Sequence, residues 1–182
     1  MPDPVVSFSC SGHSMPDDAL LTQSNFEQAS LLVIEDQADV WLMTQFMLNK
    51  GLPEVQANRV ATGPQALTYL TDCLNRGEDL PKLILQDLYL PDRHDGLRLI
   101  GSIRDQLTTH AAPQLPIVVF SSSNALDDVQ QCYRAGASAY IVKTIDMMRQ
   151  IADFNALRQF WWETNVLPIN QKGATYPPIF II

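Results

Sequence analysis

The chain has 182 residues, 46 % of them hydrophobic and 18 % charged, which suits one globular domain with modest extensions. Twelve basic against twenty acidic side chains leave a net charge of −8, the wrong balance for binding nucleic acid or an anionic membrane surface. No apolar run exceeds four residues, so no membrane-spanning helix is expected.

Residues 1–29 are rich in Ser, Pro and Asp, contain no Lys or Arg, and read as a flexible arm with a weak helical signal from Asp17 to Gln28. They lack the basic and apolar regions of a secretory leader, so the expected compartment is the cytoplasm. Leu31–Ile34 is the first of several short apolar runs without polar alternation, the pattern of a parallel strand covered on both faces. A helix is expected from Ala38 to Asn49, stopped by Gly51, and a weaker strand from Val55 to Val60. Gly63-Pro64 opens a second helix that runs to Asn75. Leu83–Leu85 is the third strand, with a helix over Gly96–Leu107 after it. Ile117–Phe120 is the fourth strand; the helix Leu126–Ala135 follows, capped by Asn124 and closed by Gly136. Tyr140–Val142 and a fifth helix over Asp146–Glu163 complete the set. Five βα units predict a doubly wound α/β domain over residues 30–163, with a five-stranded parallel sheet in the order 2-1-3-4-5 and five helices. Residues 164–182 end in Ile179-Phe-Ile-Ile182, which suggests a tail packed on the domain or on a partner subunit.

The cysteines Cys10, Cys73 and Cys132 have no metal-ligand spacing, and Cys73 and Cys132 read as small buried hydrophobes. His13, His94 and His110 form no cluster, and Arg93 and His94 read as solvated loop residues. Each strong apolar run, by contrast, ends in a polar residue: Glu35-Asp36, Asp87, Ser121 and Lys143. In open parallel sheets ligands bind beyond the carboxyl ends of the strands. Neighbouring first and third strands would bring Glu35, Asp36 and Asp87 together, where their mutual repulsion calls for a cation. Oxygen donors without His or Cys favour Mg²⁺, and an ammonium and a hydroxyl opposite suit a phosphoryl group that Asp87 attacks in line.

At these residues the chain resembles the receiver domain of two-component response regulators. The motif Asp87-Leu-Tyr-Leu-Pro91 with Asp95-Gly96 carries the resemblance, as does Gly136-Ala-Ser-Ala-Tyr140 between Ser121 and Lys143. It implies the flavodoxin-like receiver fold and a phosphoacceptor role for Asp87, served by a sensor histidine kinase. It also implies Mg²⁺ held by Glu35, Asp36, Asp87 and the Tyr89 carbonyl, a phosphoryl contact from Ser121, pairing by Lys143, and Tyr140 as aromatic switch. Such a protein is a signalling protein rather than an enzyme, although self-phosphorylation from small donors and autodephosphorylation come with the chemistry. Tyr89 and Ser123 occupy variable positions that tune dephosphorylation. Ser121-Ser-Ser-Asn124, Cys132-Tyr-Arg-Ala-Gly136 and Phe160-Trp-Trp162 resemble the stand-alone regulators of bacterial phytochrome kinases.

Thr144 departs from the family, which has Pro after the Lys. A cis Lys143–Thr144 bond would cost about 3–4 kcal/mol, so a trans bond is expected. Met147, Ile151, Phe154 and Trp161 line one side of the fifth helix, and Met148 and Ala152 extend it. This predicts a homodimer through the fourth and fifth helices, or a cover supplied by the tail. The alternative function is a degenerate receiver used only as an interaction module. A phosphatase of the haloacid dehalogenase type needs an acid where Tyr89 stands, and nucleotide-binding glycine motifs are absent.

Overall fold

Alternate residues of the central strands go to opposite faces of one sheet, and both faces are apolar. In the computed structural model, which describes residues 25–26, 29–110, 112 and 114–164, Leu32 and Ile34 of β1 (Ser30–Ile34) enter one buried cluster. Leu31 and Val33 enter the other. This period of two is what a strand buried on both sides requires. The remaining strands are β2 (Gln56–Val60), β3 (Leu83–Gln86), β4 (Ile117–Ser121) and β5 (Ala139–Val142). All pairings are parallel, in the order β2-β1-β3-β4-β5. β3 and β4 are fully buried; β2 and β5 lie at the edges and are mostly half-buried.

Five helices alternate with the strands: α1 (Ala38–Gly51), α2 (Gly63–Arg76), α3 (Arg93–Thr109), α4 (Leu126–Ala135) and α5 (Met147–Arg158). Met47 and Leu48 of α1 share a cluster with Phe154 and Leu157 of α5 on one face. Leu70 of α2, Ile100, Ile103 and Leu107 of α3, and Cys132 of α4 cover the other. None of the described helices is long and apolar enough to cross a membrane.

Local chemistry sets the helix ends. Thr62 accepts from the Gln65 N–H at the start of α2, and Gly77 ends that helix in the left-handed region. The third helix begins at Arg93, earlier than the predicted Gly96, because the Asp92 carboxylate caps it by accepting from the Asp95 N–H at 2.9 Å. Asn124 is not the cap of α4. Ala125 takes that position without a side-chain bond, and the Ser123 hydroxyl accepts the Ala125 N–H instead. Gly51 is the last residue of α1 rather than its follower. The peptide bond between Lys143 and Thr144 is trans; among the described residues only Leu90–Pro91 is cis.

The predicted fifth helix divides in two. After Arg158 the chain widens into a π-helical turn over Gln159–Thr164, which buries Trp162 completely. Asn25 donates to the Trp162 carbonyl, and Phe26 lies under the Arg158 guanidinium, so this part of the segment before β1 packs on the domain. The tail from residue 165 onward, Cys10, His13 and most of the N-terminal arm lie outside the described residues.

Two glycines are required by their surroundings. Gly136 holds φ +109 at the end of α4, and a Cβ there would lie 2.8 Å from Cγ of Arg104. That arginine donates to the carbonyls of Gly136 and Leu115, tying α3 to the chain around β4 and β5. Gly96 is tighter still, since a Cβ would lie 1.7 Å from the Leu88 carbonyl oxygen. Gly96→Ala is expected to lower the unfolding free energy by about 2–3 kcal/mol. Gly101→Ala, with nothing within 4 Å of its Cβ, is expected to raise it by about 0.5–1 kcal/mol. Urea denaturation of both variants measures the contrast.

Candidate functional site

The acidic residues converge because β1 and β3 are neighbours. Ile34 pairs with Gln86, so the next residues, Glu35 and Asp87, leave the sheet side by side. The Asp87 N–H donates to the Ile34 carbonyl at 3.0 Å, and the Glu35 N–H to the Val60 carbonyl at 3.1 Å, which fixes both backbones. Glu35, Asp36 and Asp87 each place a carboxylate oxygen within 4.8 Å of the others. Glu35 and Asp87 are buried and Asp36 is exposed, so the cluster opens to solvent on one side.

Lys143 completes it from the end of β5. Its Nζ lies 2.6 Å from Glu35 Oε2 and 3.1 Å from Asp87 Oδ2, and 5.3 Å from the centroid of the Phe120 ring. The ammonium therefore reaches across β4 to bridge two buried carboxylates. Glu35 uses its other oxygen to accept the Gln37 N–H at the start of α1, and Asp87 Oδ1 accepts from the Tyr89 N–H at 3.4 Å.

Arg59 of β2 was not anticipated. Its Nε donates to the Glu35 carbonyl at 2.9 Å and its Nη2 to the Asp36 carbonyl at 3.0 Å. It thereby holds the acidic loop from below without touching a carboxylate. An arginine near the end of an edge strand beside that loop was the only sequence signal.

Ser121 and Tyr140 form a second, adjacent group, joined through Ser123. The Ser121 Oγ is fully buried and accepts from the Ser123 N–H at 3.3 Å. The Tyr140 hydroxyl donates to the Ser123 carbonyl at 2.9 Å, and burial pushes its phenol pKa up. The predicted residues thus fall into a carboxylate–ammonium cluster and a hydroxyl group beside it.

Arg93 is not a solvated loop residue. It stands in the first turn of α3 and donates from Nε to Asp128 Oδ1 and from Nη2 to Asp127 Oδ2, both on α4. Asp128 is buried and also accepts from the hydroxyls of Ser123 and Tyr89. The Ser123 hydroxyl first, and Arg93 with it, hold the Asp128 carboxyl below its usual range against the opposing effect of burial. His94 is exposed as expected, but it too stands in the first turn of α3 rather than in a loop.

A family model described as the response regulator receiver domain matches residues 31–154. The chain belongs to this family. It is 28 % identical over 150 residues to the response regulator Rcp1 of Synechocystis sp., covering 80 % of this chain and 97 % of Rcp1. It spans 66 % of a relative named "Probable methanogenesis regulatory protein FilR2" from Methanothrix harundinacea, at 28 % identity over 109 residues. Among solved structures it is similar to the response regulator RPA3017, in red light signaling of R. palustris, with a TM-score of 0.68 and 25 % identity over 78 % of this chain and 99 % of that one. The phosphorylated cyanobacterial phytochrome response regulator RcpA gives 0.64 and 26 %, with the same shares covered.

The chain is therefore a receiver-domain response regulator, homologous to the response regulator Rcp1 and the phytochrome response regulator RcpA. Its three carboxylates fit a hard divalent cation, because one ammonium among them leaves negative charge uncompensated and every donor is oxygen. A Mn²⁺-bound form of Rcp1 is among the similar structures, with a TM-score of 0.63.

Cys73 and Cys132 are buried free thiols, as their surroundings predict. Burial first, with the Asp128 charge adding to it, pushes the Cys132 thiol up to about 11. At pH 8 it is therefore the neutral thiol, the unreactive form. Iodoacetamide at pH 8 is expected to leave Cys132 unmodified in the native protein and to alkylate it in urea, as read by peptide mass mapping.

Proposed function

We propose that Asp87 accepts a phosphoryl group from a phosphohistidine of a sensor kinase. The observation that carries this reading is the Lys143 ammonium, held between buried Glu35 and Asp87 at the open carboxyl edge of the sheet. An Asp87 carboxylate oxygen attacks phosphorus in line, the bond from phosphorus to the kinase imidazole breaks, and an acyl phosphate forms. Lys143, already 3.1 Å from Asp87, pairs with a phosphoryl oxygen. Ser121 gives its hydroxyl hydrogen bond to another phosphoryl oxygen, and Tyr140 follows the movement of the intervening loop. Glu35, Asp36, Asp87 and the Tyr89 carbonyl would hold Mg²⁺, which when bound offsets charge on the transferred group. Attack of water on phosphorus releases phosphate, restores the carboxylate and resets the protein.

The similarity to Rcp1 and RcpA supports a kinase of the bacterial phytochrome type, and hence a cytoplasmic regulator in a light pathway. Output through a homodimer is supported by the surface after β5. Val142 at the end of β5, Ile145 in the loop after it, and Met147 and Met148 in the first turn of α5 are exposed, whereas Phe154 and Leu157 of α5 are buried against the sheet.

Acetyl phosphate with Mg²⁺ is expected to add one phosphoryl group, seen by intact-mass spectrometry. The adduct disappears in Asp87→Asn and on chelation of the metal. Lys143→Ala keeps an acceptor but loses the shape change on phosphorylation, checked by small-angle scattering. An adduct that survives in Asp87→Asn overturns the assignment.

A further inference from the structure

Ser123 is the most constrained residue of the loop between β4 and α4. Its N–H donates to the Ser121 Oγ, its carbonyl accepts from the Tyr140 hydroxyl, and its own hydroxyl donates to Asp128. The Asp128 carboxylate is itself immobilised by the Tyr89 hydroxyl, in the loop after β3, at 3.3 Å and by the Arg93 guanidinium in the first turn of α3. Its side chain is only 7 % exposed, so a charge there depends on these partners. The two loops that flank the phosphoacceptor are therefore fastened together by one carboxylate. The fastening reaches Ser121, the last residue of β4, whose Oγ accepts from the Ser123 N–H at 3.3 Å.

We propose that Asp128 is a positioning residue for the phosphoryl reaction, which with Arg93 clasps the two loops and holds Ser121 back until Asp87 is phosphorylated. The proposal rests on the reading of Asp87 as acceptor. Contacts made in the resting arrangement but not in the phosphorylated one bias the equilibrium toward rest by their own free energy. Weakening the clasp must then make the phosphorylated arrangement easier to reach. A residue that merely supports the fold would lower stability without strengthening the binding of a phosphoryl mimic.

Beryllofluoride with Mg²⁺ is the probe, since it caps an aspartate as a tetrahedral phosphoryl group does, and titration calorimetry reads its apparent dissociation constant. Asp128→Asn keeps the shape but removes the charge, and is expected to tighten beryllofluoride binding about five- to tenfold. Ser123→Ala removes the bond to Asp128 and the one from the Ala125 N–H, and leaves the Arg93–Asp128 pair intact; tightening in the same direction is expected. Asp127→Asn alters the same guanidinium without touching Ser123 or Tyr89, and should bind within about twofold of the wild type.

Asp128→Asn decides the matter, and Ser123→Ala decides it if the first variant does not fold. Unchanged or weaker binding in the deciding variant, with normal binding in the wild type, overturns the clasp and leaves Asp87 as acceptor. A wild type that binds no beryllofluoride overturns the acceptor reading, and the clasp with it.

Discussion

The Lys143 ammonium makes the rest of the site possible. Glu35 and Asp87 are 3 % and 6 % exposed at the side chain, and two acidic groups buried side by side call for a counter-charge. Lys143 supplies it from the far side of the sheet, over the face of Phe120. Only a long unbranched stem that starts at the end of β5 reaches both acids at once. The demand extends to the strand order. With β3 between β1 and β4, the three strand ends and the lysine form one short arc. Arg59 then fixes the acidic loop through its carbonyls, without drawing on the carboxylates.

Much of this was legible in the residues. Apolar runs of three or four without alternation mark strands covered on both sides, which β1, β3 and β4 are; the same kind of run forms β5, at a half-buried edge. The polar residues that end them lie together as the candidate site, because a parallel sheet puts all its carboxyl ends on one edge. The weak signal of β2 has the same origin. It is an edge strand, half-buried, with Asn58 and Arg59 taking part in hydrogen bonds that an apolar pattern does not encode.

The contacts across loops were not legible. Arg93 and Asp128 are 35 positions apart, and each alone looks like a surface charge near a helix start. Nothing in local sequence says that the first turns of α3 and α4 face one another across the edge of the sheet. The cap of α4 misled for a related reason. Asn124 has the usual capping chemistry, but Ser123 is pinned by Asp128 and Tyr140, and the chain enters the helix from that fixed point. In both cases a tertiary constraint overrode a local preference.

The π-helical turn after α5 shifts the order in which side chains meet the core. Phe154 and Leu157 are buried at a spacing of three, and an uninterrupted α-helix would next turn Trp161 inward. The wider turn selects Trp162 instead and leaves Trp161 half-buried. Two adjacent indoles thus sit in opposite surroundings, one in the protein interior and one bordering solvent. Their fluorescence should separate accordingly: blue-shifted emission hidden from quenchers for Trp162, and red-shifted, quenchable emission for Trp161. A change of register in this turn would exchange the two spectra, so the end of the last helix carries its own optical gauge of how it is wound.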